Sequence, residues 1–375
     1  MPKIVNHSYW EKKILFKKFD LIVVGSGIVG LSTAISFKQK NKKASVLILE
    51  RGILPAGAST KNAGFACFGS VSELLDDLAK MNEETVWETV EMRWRGLELL
   101  RNRLGDKNIG YKGLGGFELF DKEKNYSTCN DKIEDLNKKI KHTLGLKSCY
   151  STVSKNSLNF KNINGIIQNR YEGQIDTSLM MTNLIKLAQK LNITILNNIA
   201  ISKINSLTDS AELLSDYGTF YASKVVVATN GFAKELLNIA DVKPAIAQVL
   251  ITKPIKNLKI KGTFHYDEGF YYFRNIDNRI LFGGGRNLDL KGETTTDLEL
   301  NTKIQKHLDY LLKNIILPYT AFEVDYRWSG IMGVGSEKKP IIKLVNPNVL
   351  AAVRMGGMGV AIGSLVGQEA ADKIS

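Results

Sequence analysis

Cysteine, proline and histidine are all scarce: three, seven and four among 375 residues. Cys67, Cys129 and Cys149 form an odd set without CxxC spacing, which excludes a disulfide scaffold and fits reduced thiols. So few prolines exclude a collagen-like chain. His7, His142, His265 and His307 lie in no metal-ligand spacing and beside no nucleophile, so neither a metal centre nor a histidine triad is expected. Long apolar runs are also missing. The best candidate, residues 21–37, is uncharged but only 17 residues long and holds three glycines and four hydroxyl side chains, whereas a bilayer helix uses about 20 mostly apolar residues. Residues 1–20 never reach an apolar stretch, because Lys17 and Lys18 interrupt it, so a cytoplasmic location without a transmembrane segment is expected.

What is present is globular: 44% hydrophobic and 24% charged residues exclude wholesale disorder. The length exceeds the roughly 250–300 residues at which a single core usually divides, so two intertwined domains, or one large α/β domain with an inserted cap, are expected. The net charge of +13 is the kind of balance that attracts nucleic acid, an anionic membrane or an acidic substrate. Its densest run, Lys253, Lys256, Lys259 and Lys261, lacks the interleaved aromatics of a nucleic-acid surface, and nucleic acid is not an expected partner.

Periodicity divides the chain into two kinds of segment. Residues 21–24 and 46–49 are short apolar runs flanking a helical pattern that starts at Ile28, a βαβ unit of about 30 residues. Residues 71–104 and 179–191 read as helices, and residues 224–228 and 349–353 as further buried strands. Strand-like runs at 117–120, 246–252, 271–273 and 280–282 suggest a separate antiparallel sheet. The expectation is an α/β fold: a parallel-sheet domain over 19–100, 165–240 and 325–375, an inserted α+β domain with a mainly antiparallel sheet over 101–164 and 241–324, and an N-terminal extension over 1–18.

Gly25-Ser26-Gly27-Ile28-Val29-Gly30 is a GxGxxG turn placed directly after a strand and opening a helix. Glycine at the first position permits the tight turn, at the second the approach of a pyrophosphate, at the third close helix–strand packing. Helix N–H groups and dipole favour that anion. Glu50 ends the next strand twenty residues past Gly30, where a carboxylate accepts hydrogen bonds from ribose hydroxyls. The turn alone does not choose between NAD and FAD, although its place near the start of the chain favours FAD.

Residues 19–34 (FDLIVVGSGIVGLSTA), 49–52 (LERG), 57–65 (GASTKNAGF), 172–177 (EGQIDT), 225–232 (VVVATNGF), 279–287 (RILFGGGRN), 327–333 (RWSGIMG) and 354–363 (RMGGMGVAIG) resemble, in order, the D-amino-acid oxidase-like family of FAD-dependent amine oxidoreductases. This family includes glycine, sarcosine and gamma-glutamylputrescine oxidases, and 57–65 and 228–232 are most similar to the last. The resemblance implies a Rossmann-type FAD-binding domain with an inserted substrate domain. It implies pyrophosphate contacts from Gly25, Ser26, Gly27, Ile28 and Gly30, and a ribose contact from Glu50. Arg51 and the backbone near Ile201 would lie at the adenine. Ser59, Thr60, Lys61, Asn62, Ala63 and Gly64 would run beneath the isoalloxazine, with Gly330, Gly356, Gly357, Met358 and Gly359 closing around it. A glycine-rich helix start at 356–359 suits that place, because backbone N–H groups there meet the charge a reduced flavin gains.

For the substrate, Arg354 is the expected carboxylate clamp, since it ends a buried strand just before those glycines and a guanidinium offers a planar fork. Tyr271 and Tyr272 head a strand that roofs the substrate in the family, Tyr272 being the expected contact; Lys61 lies near the flavin edge, and Trp328 is read as packing. Gly283-Gly284-Gly285 is read as sheet closure. Sarcosine oxidases carry a lysine where this chain has Leu281 and bind FAD through a cysteine in the last third, where this chain has none. Non-covalent FAD is therefore expected, with oxygen or a quinone or carrier as acceptor and a small amine or amino acid as substrate. The alternatives are a flavin-dependent dehydrogenase of a hydroxy compound and an RNA-associated flavoprotein acting on a modified tRNA base.

Overall fold

A computed structural model describes residues 6–154, 158–239 and 241–375. Residues 1–5 of the expected extension, 155–157 of the expected inserted domain and residue 240 lie outside the described residues. Lys18–Val24 is a central parallel strand because its apolar residues feed two cores: Leu21 and Val23 join one cluster, Ile22 and Val24 another. It pairs in parallel with Val46–Leu49 on one side and Gly218–Val227 on the other. Thr194–Leu196 and Val349–Val353 extend the parallel part, and Ile341–Asn346 adds an antiparallel edge.

Helix Ile28–Lys40 covers one face and packs on the terminal helix Gly359–Ile374. A Cβ on Gly367 would sit 2.5 Å from that of Ser32, so the two backbones approach as only glycine allows. The helical pattern over 71–104 resolves into two helices, Val71–Lys80 and Glu83–Leu104. Asn82 separates them: its side chain accepts the Glu84 N–H at 2.8 Å and caps the second.

The second sheet has eight strands and is antiparallel except where Thr263–Tyr266 pairs with Gly116–Phe120. Its outer face is a phenylalanine-rich core under helix Thr302–Leu311, with Phe264 and Phe273 stacked at 4.6 Å. Strands Gly165–Asn169 and Val324–Val334 are hydrogen-bonded into this sheet, so the expected boundaries at 165 and 325 cut through the second sheet. Helix Tyr9–Leu15 precedes the first strand and opens on a Ser8–Glu11 capping box. Among the described residues no helix is long and apolar enough to cross a membrane.

Candidate active site

The glycine turn closes as its residue types require. Gly25 has φ +102° and donates its N–H to Leu49 O at 2.8 Å. A Cβ on Gly30 would lie 1.9 Å from Gly25 O, so any other residue there forces helix and strand apart. Gly27 caps the helix without a side-chain bond, and the Ile28 N–H donates to Ser59 Oγ at 2.9 Å, joining the turn to the 59–64 stretch. Glu50 is buried beside it. One carboxylate oxygen accepts from Ser26 N–H (2.9 Å) and Ser26 Oγ (2.7 Å), the other from Gly52 N–H (3.0 Å). Thr229 Oγ1, with its methyl beside Gly25, is a buried oxygen with no partner among the described residues. A helix start whose only side-chain acceptor among the described residues is Ser59, and an orphaned hydroxyl beside Gly25, fit a dinucleotide at this turn.

Arg51 lies 3.6 Å over the Phe232 ring and 3.6 Å from Glu235 at the expected adenine end. The chain bonded to Glu50 is that of Ile199, whose N–H donates to Glu50 O at 2.8 Å. Ile201 stands two residues further on, opening the strand Ile201–Ser206 with its side chain packed on the core.

Residues 59–64 are held from inside and from the second sheet. Asn62 donates to Ser59 O (2.8 Å) and accepts from Gly64 N–H (2.8 Å) and Thr177 Oγ1 (2.9 Å), while exposed Thr60 donates to Pro55 O at 2.6 Å. Trp328 Nε1 donates to Lys61 O at 3.0 Å, and Gly330 faces the Lys61 side chain. Two residues along, Met332 meets the glycine cluster: a Cβ on Gly357 would lie 3.2 Å from its sulfur. Gly356 and Gly357 have φ +56° and +84°, Gly356 N–H donates to Gly333 O at 3.0 Å, and Met358 and Gly359 open the terminal helix without a side-chain cap. One strand therefore brings both expected flavin-facing stretches together.

Above them the second sheet presents Val249, Tyr272, Leu281 and Trp328, which pack with Ala63 and Phe65 into an apolar wall. Strand alternation sends Tyr272 to this wall and Tyr271 into the opposite core, so of the expected pair only Tyr272 faces the site. Its ring lies edge-on to Phe65 at 5.6 Å and over Gly283, where a Cβ would sit 2.9 Å from it; Gly283 thus makes room for the ring. Burial pushes the Tyr272 hydroxyl up to about 12.

Arg354 departs from its expected place. It is buried at φ +67°; its Nε donates to Lys339 O (2.9 Å), Nη1 pairs with Asp241 and Nη2 with Glu337 (3.1 Å). Every guanidinium nitrogen has a protein partner, so Arg354 is a tie across the seam. The buried strand and adjacent glycines that suggested a clamp are equally what a strand-end brace produces.

Several polar groups near the wall are not among the expected site residues. Glu172 accepts from Phe68 N–H (3.1 Å) and Gly69 N–H (3.3 Å) and stands 3.4 Å from His265 Nε2. Burial opposes a charge on His265, yet Glu172 and Glu118 prevail and raise its pKa. Cys67, Glu172 and His265 place their donor atoms within 4.8 Å of one another, but burial pushes the Cys67 thiol up, away from the thiolate a metal takes. Arg274, two residues beyond Tyr272, reaches Ile175 O (2.8 Å) and Gly64 O (3.4 Å). Extending the strand alternation past 273 would have put it on the same wall.

The FAD dependent oxidoreductase family model, DAO, matches residues 20–373. A probable oxidoreductase, OrdL, of Haemophilus influenzae is 20% identical over 95% of this chain and 82% of its own length. Among solved structures, L-proline dehydrogenase from P. horikoshii (18% identity, TM-score 0.77, 96% of this chain and 94% of that one) has this fold. So does glycine oxidase from Geobacillus kaustophilus (19%, 0.77, 95% and 94%).

Proposed function

The chain belongs to the DAO family of FAD-dependent oxidoreductases, and from that premise we propose that it oxidises the C–N bond of a small amine or amino acid. The observation that carries this reading is the apolar wall around Tyr272, set directly over the 59–64 stretch and tied to it by Trp328. FAD, when bound, supplies the acceptor for the hydride on the carbon next to nitrogen. What the protein does is bind, orient and keep the site dry. Gly25 to Gly30, Glu50 and Ser59 hold the dinucleotide, and residues 60–64 with Gly330 and Gly356 to Gly359 frame the ring. The wall excludes water, which favours the uncharged amine that reacts. Tyr272 supplies a protonated hydroxyl to a substrate acceptor. Relatives support the class: the solved neighbours include a glycine oxidase, an L-proline dehydrogenase and an L-amino acid deaminase.

FAD binding is non-covalent in this reading, since no cysteine follows Cys149 and burial pushes the thiols of Cys67, Cys129 and Cys149 up, away from the thiolate, and the electrons leave to oxygen or to a quinone or carrier. The test is anaerobic titration of the yellow protein with amines, amino acids and polyols. Bleaching by amines or amino acids is expected; bleaching by polyols alone overturns the reading. Acid precipitation should leave the pellet colourless.

A further inference from the structure

The face of the second sheet that carries Tyr272 continues past the apolar wall into ionisable side chains. His265 stands opposite Tyr272 on the neighbouring strand, and Glu118 stands opposite His265 on the next. Residues paired in this way leave the same face of a sheet. Phe65 of the wall lies edge-on to His265 at 5.5 Å, which sets the imidazole directly behind the wall. Beside it is a cavity of about 10 Å³ whose polar lining is Ser70, Glu118, Tyr150, Asn169, Glu172 and His265. That is the space of a single water.

The polar atoms around this space are unevenly matched. Asn169 is 4% exposed; its Oδ1 accepts from Tyr171 N–H (3.0 Å), yet its Nδ2 has no partner among the described residues, and neither has His265 Nε2. Glu172 Oε1 is taken by Phe68 N–H and Gly69 N–H, which leaves Oε2, 3.4 Å from His265 Nε2 but outside hydrogen-bond geometry. Glu118 is held by the Ser70 hydroxyl (3.2 Å), Ser72 N–H (3.1 Å) and the Ser72 hydroxyl. Two donors without acceptors, facing carboxylates with lone pairs to spare, are what one ordered water satisfies. The charges acting on His265 are Glu172, Glu118 and, on helix Val71–Lys80, Glu73, itself paired with Arg93 and Lys338; Cys67, Tyr150 and Tyr272 are held neutral by burial. Burial raises the pKa of Glu118 against its serine donors, and the acids raise that of His265, so the cluster takes up a proton more readily than its residue types would alone.

Resting on the amine-oxidising reading above, we propose that the cavity holds one water and that His265, this water and Glu118 carry away the proton a substrate ammonium must lose. His265 gives its Nε2 proton to the water, and the water gives one to the Glu118 carboxylate. The N–H bond of the ammonium breaks, its proton refills the imidazole and its electron pair stays on nitrogen. One proton has moved from substrate to Glu118, nothing has been oxidised or reduced, and the neutral amine left behind is the form that yields a hydride. A wall that keeps bulk water out requires such a route.

The test uses the FAD-loaded full chain and three probes, sarcosine, proline and butylamine, in anaerobic stopped-flow bleaching between pH 6 and 9. His265→Asn and Glu118→Gln should slow bleaching at pH 7 by on the order of 100-fold and recover as the pH rises and the solution supplies neutral amine, with flavin content unchanged. Asn169→Leu, which removes one donor to the water, should show a smaller loss with the same recovery. Time-resolved infrared spectra during bleaching should show the carbonyl band of a dry, protonated carboxyl, and Glu118→Gln should lack it. Three results overturn the proposal: a loss equal at every pH, which marks a structural role; rates unchanged in Glu118→Gln; or loss of flavin as the variants' main defect. If His265→Asn does not fold, Glu118→Gln and the infrared band decide. Failure of the proton route alone leaves wild-type bleaching by the probes intact. Bleaching by glycerol and by none of the three probes sinks the oxidation reading, and the proton route with it.

Discussion

Arg354 and Arg274 are both buried, one just before the 356–359 glycines and the other against Gly64, yet their surroundings are opposite. Arg354 has two carboxylates and a carbonyl, one for each nitrogen. Arg274 has two carbonyls on one nitrogen and no acid. A buried guanidinium that is fully paired explains itself as structure. One that is half paired leaves a desolvated charge that the described residues do not meet.

The comparison is sharpened most by a third buried arginine. Arg93 donates to Phe68 O and Glu73, and Lys338 joins Glu73 to Asp77. Burial works against a charge on Glu73, but Arg93 and Lys338 hold its carboxyl at about 2. Arg93→Met leaves that carboxylate buried with one partner fewer and should lower stability by about 3 kcal/mol, read by chemical denaturation. With Glu73 at about 2 when folded against 4.5 ordinarily, its contribution is present above about 4.5 and lost as pH falls toward 2. In Arg93→Met the folded-state pKa of Glu73 moves back up, so the decline between about 4.5 and 2 should become shallower, and an unchanged acid limb would break the assignment.

Next in size is the pair Arg354→Met and Arg274→Met. Losing Arg354 frees Asp241 and Glu337, whose side chains are 39% and 69% exposed and regain water, so about 2 kcal/mol is expected. Losing Arg274 strands no acid and should change stability by about 1 kcal/mol or less. Chemical denaturation reads both, and a larger loss in Arg274→Met than in Arg354→Met would reverse the comparison.

The sequence carried the dinucleotide half well because its constraints are local. Gly25, Gly30 and Glu50 are read from spacing, and an apolar run such as 21–24 has few places to go except a buried strand. The 71–104 helix lost its break because a single Asn82 cap hides inside a helical period. Arg354 and Arg274 were not separable in sequence, since the difference between them lies in Asp241, Glu337, Gly64 and Ile175, brought together only by tertiary packing. The domain bounds at 165 and 325 meet the same obstacle: residues 165–169 and 324–334 pair within the second sheet, and a strand names its pairing partner only through register.

The smallest expected effect belongs to Tyr272. Burial keeps its hydroxyl protonated to about 12, so it donates a hydrogen bond throughout the working range and has no proton to exchange near neutrality. Tyr272→Phe should therefore slow bleaching by the amine probes by about tenfold or less, the scale of one hydrogen bond, and leave the shape of the pH profile between 6 and 9 unaltered. The imidazole adjoining the wall is His265, edge-on to Phe65, whose pKa Glu172 and Glu118 raise against the burial that opposes its charge. A limb that disappears in Tyr272→Phe but survives in His265→Asn would make the tyrosine an acid–base group and undo the division between a proton-carrying His265 and a neutral donor opposite it.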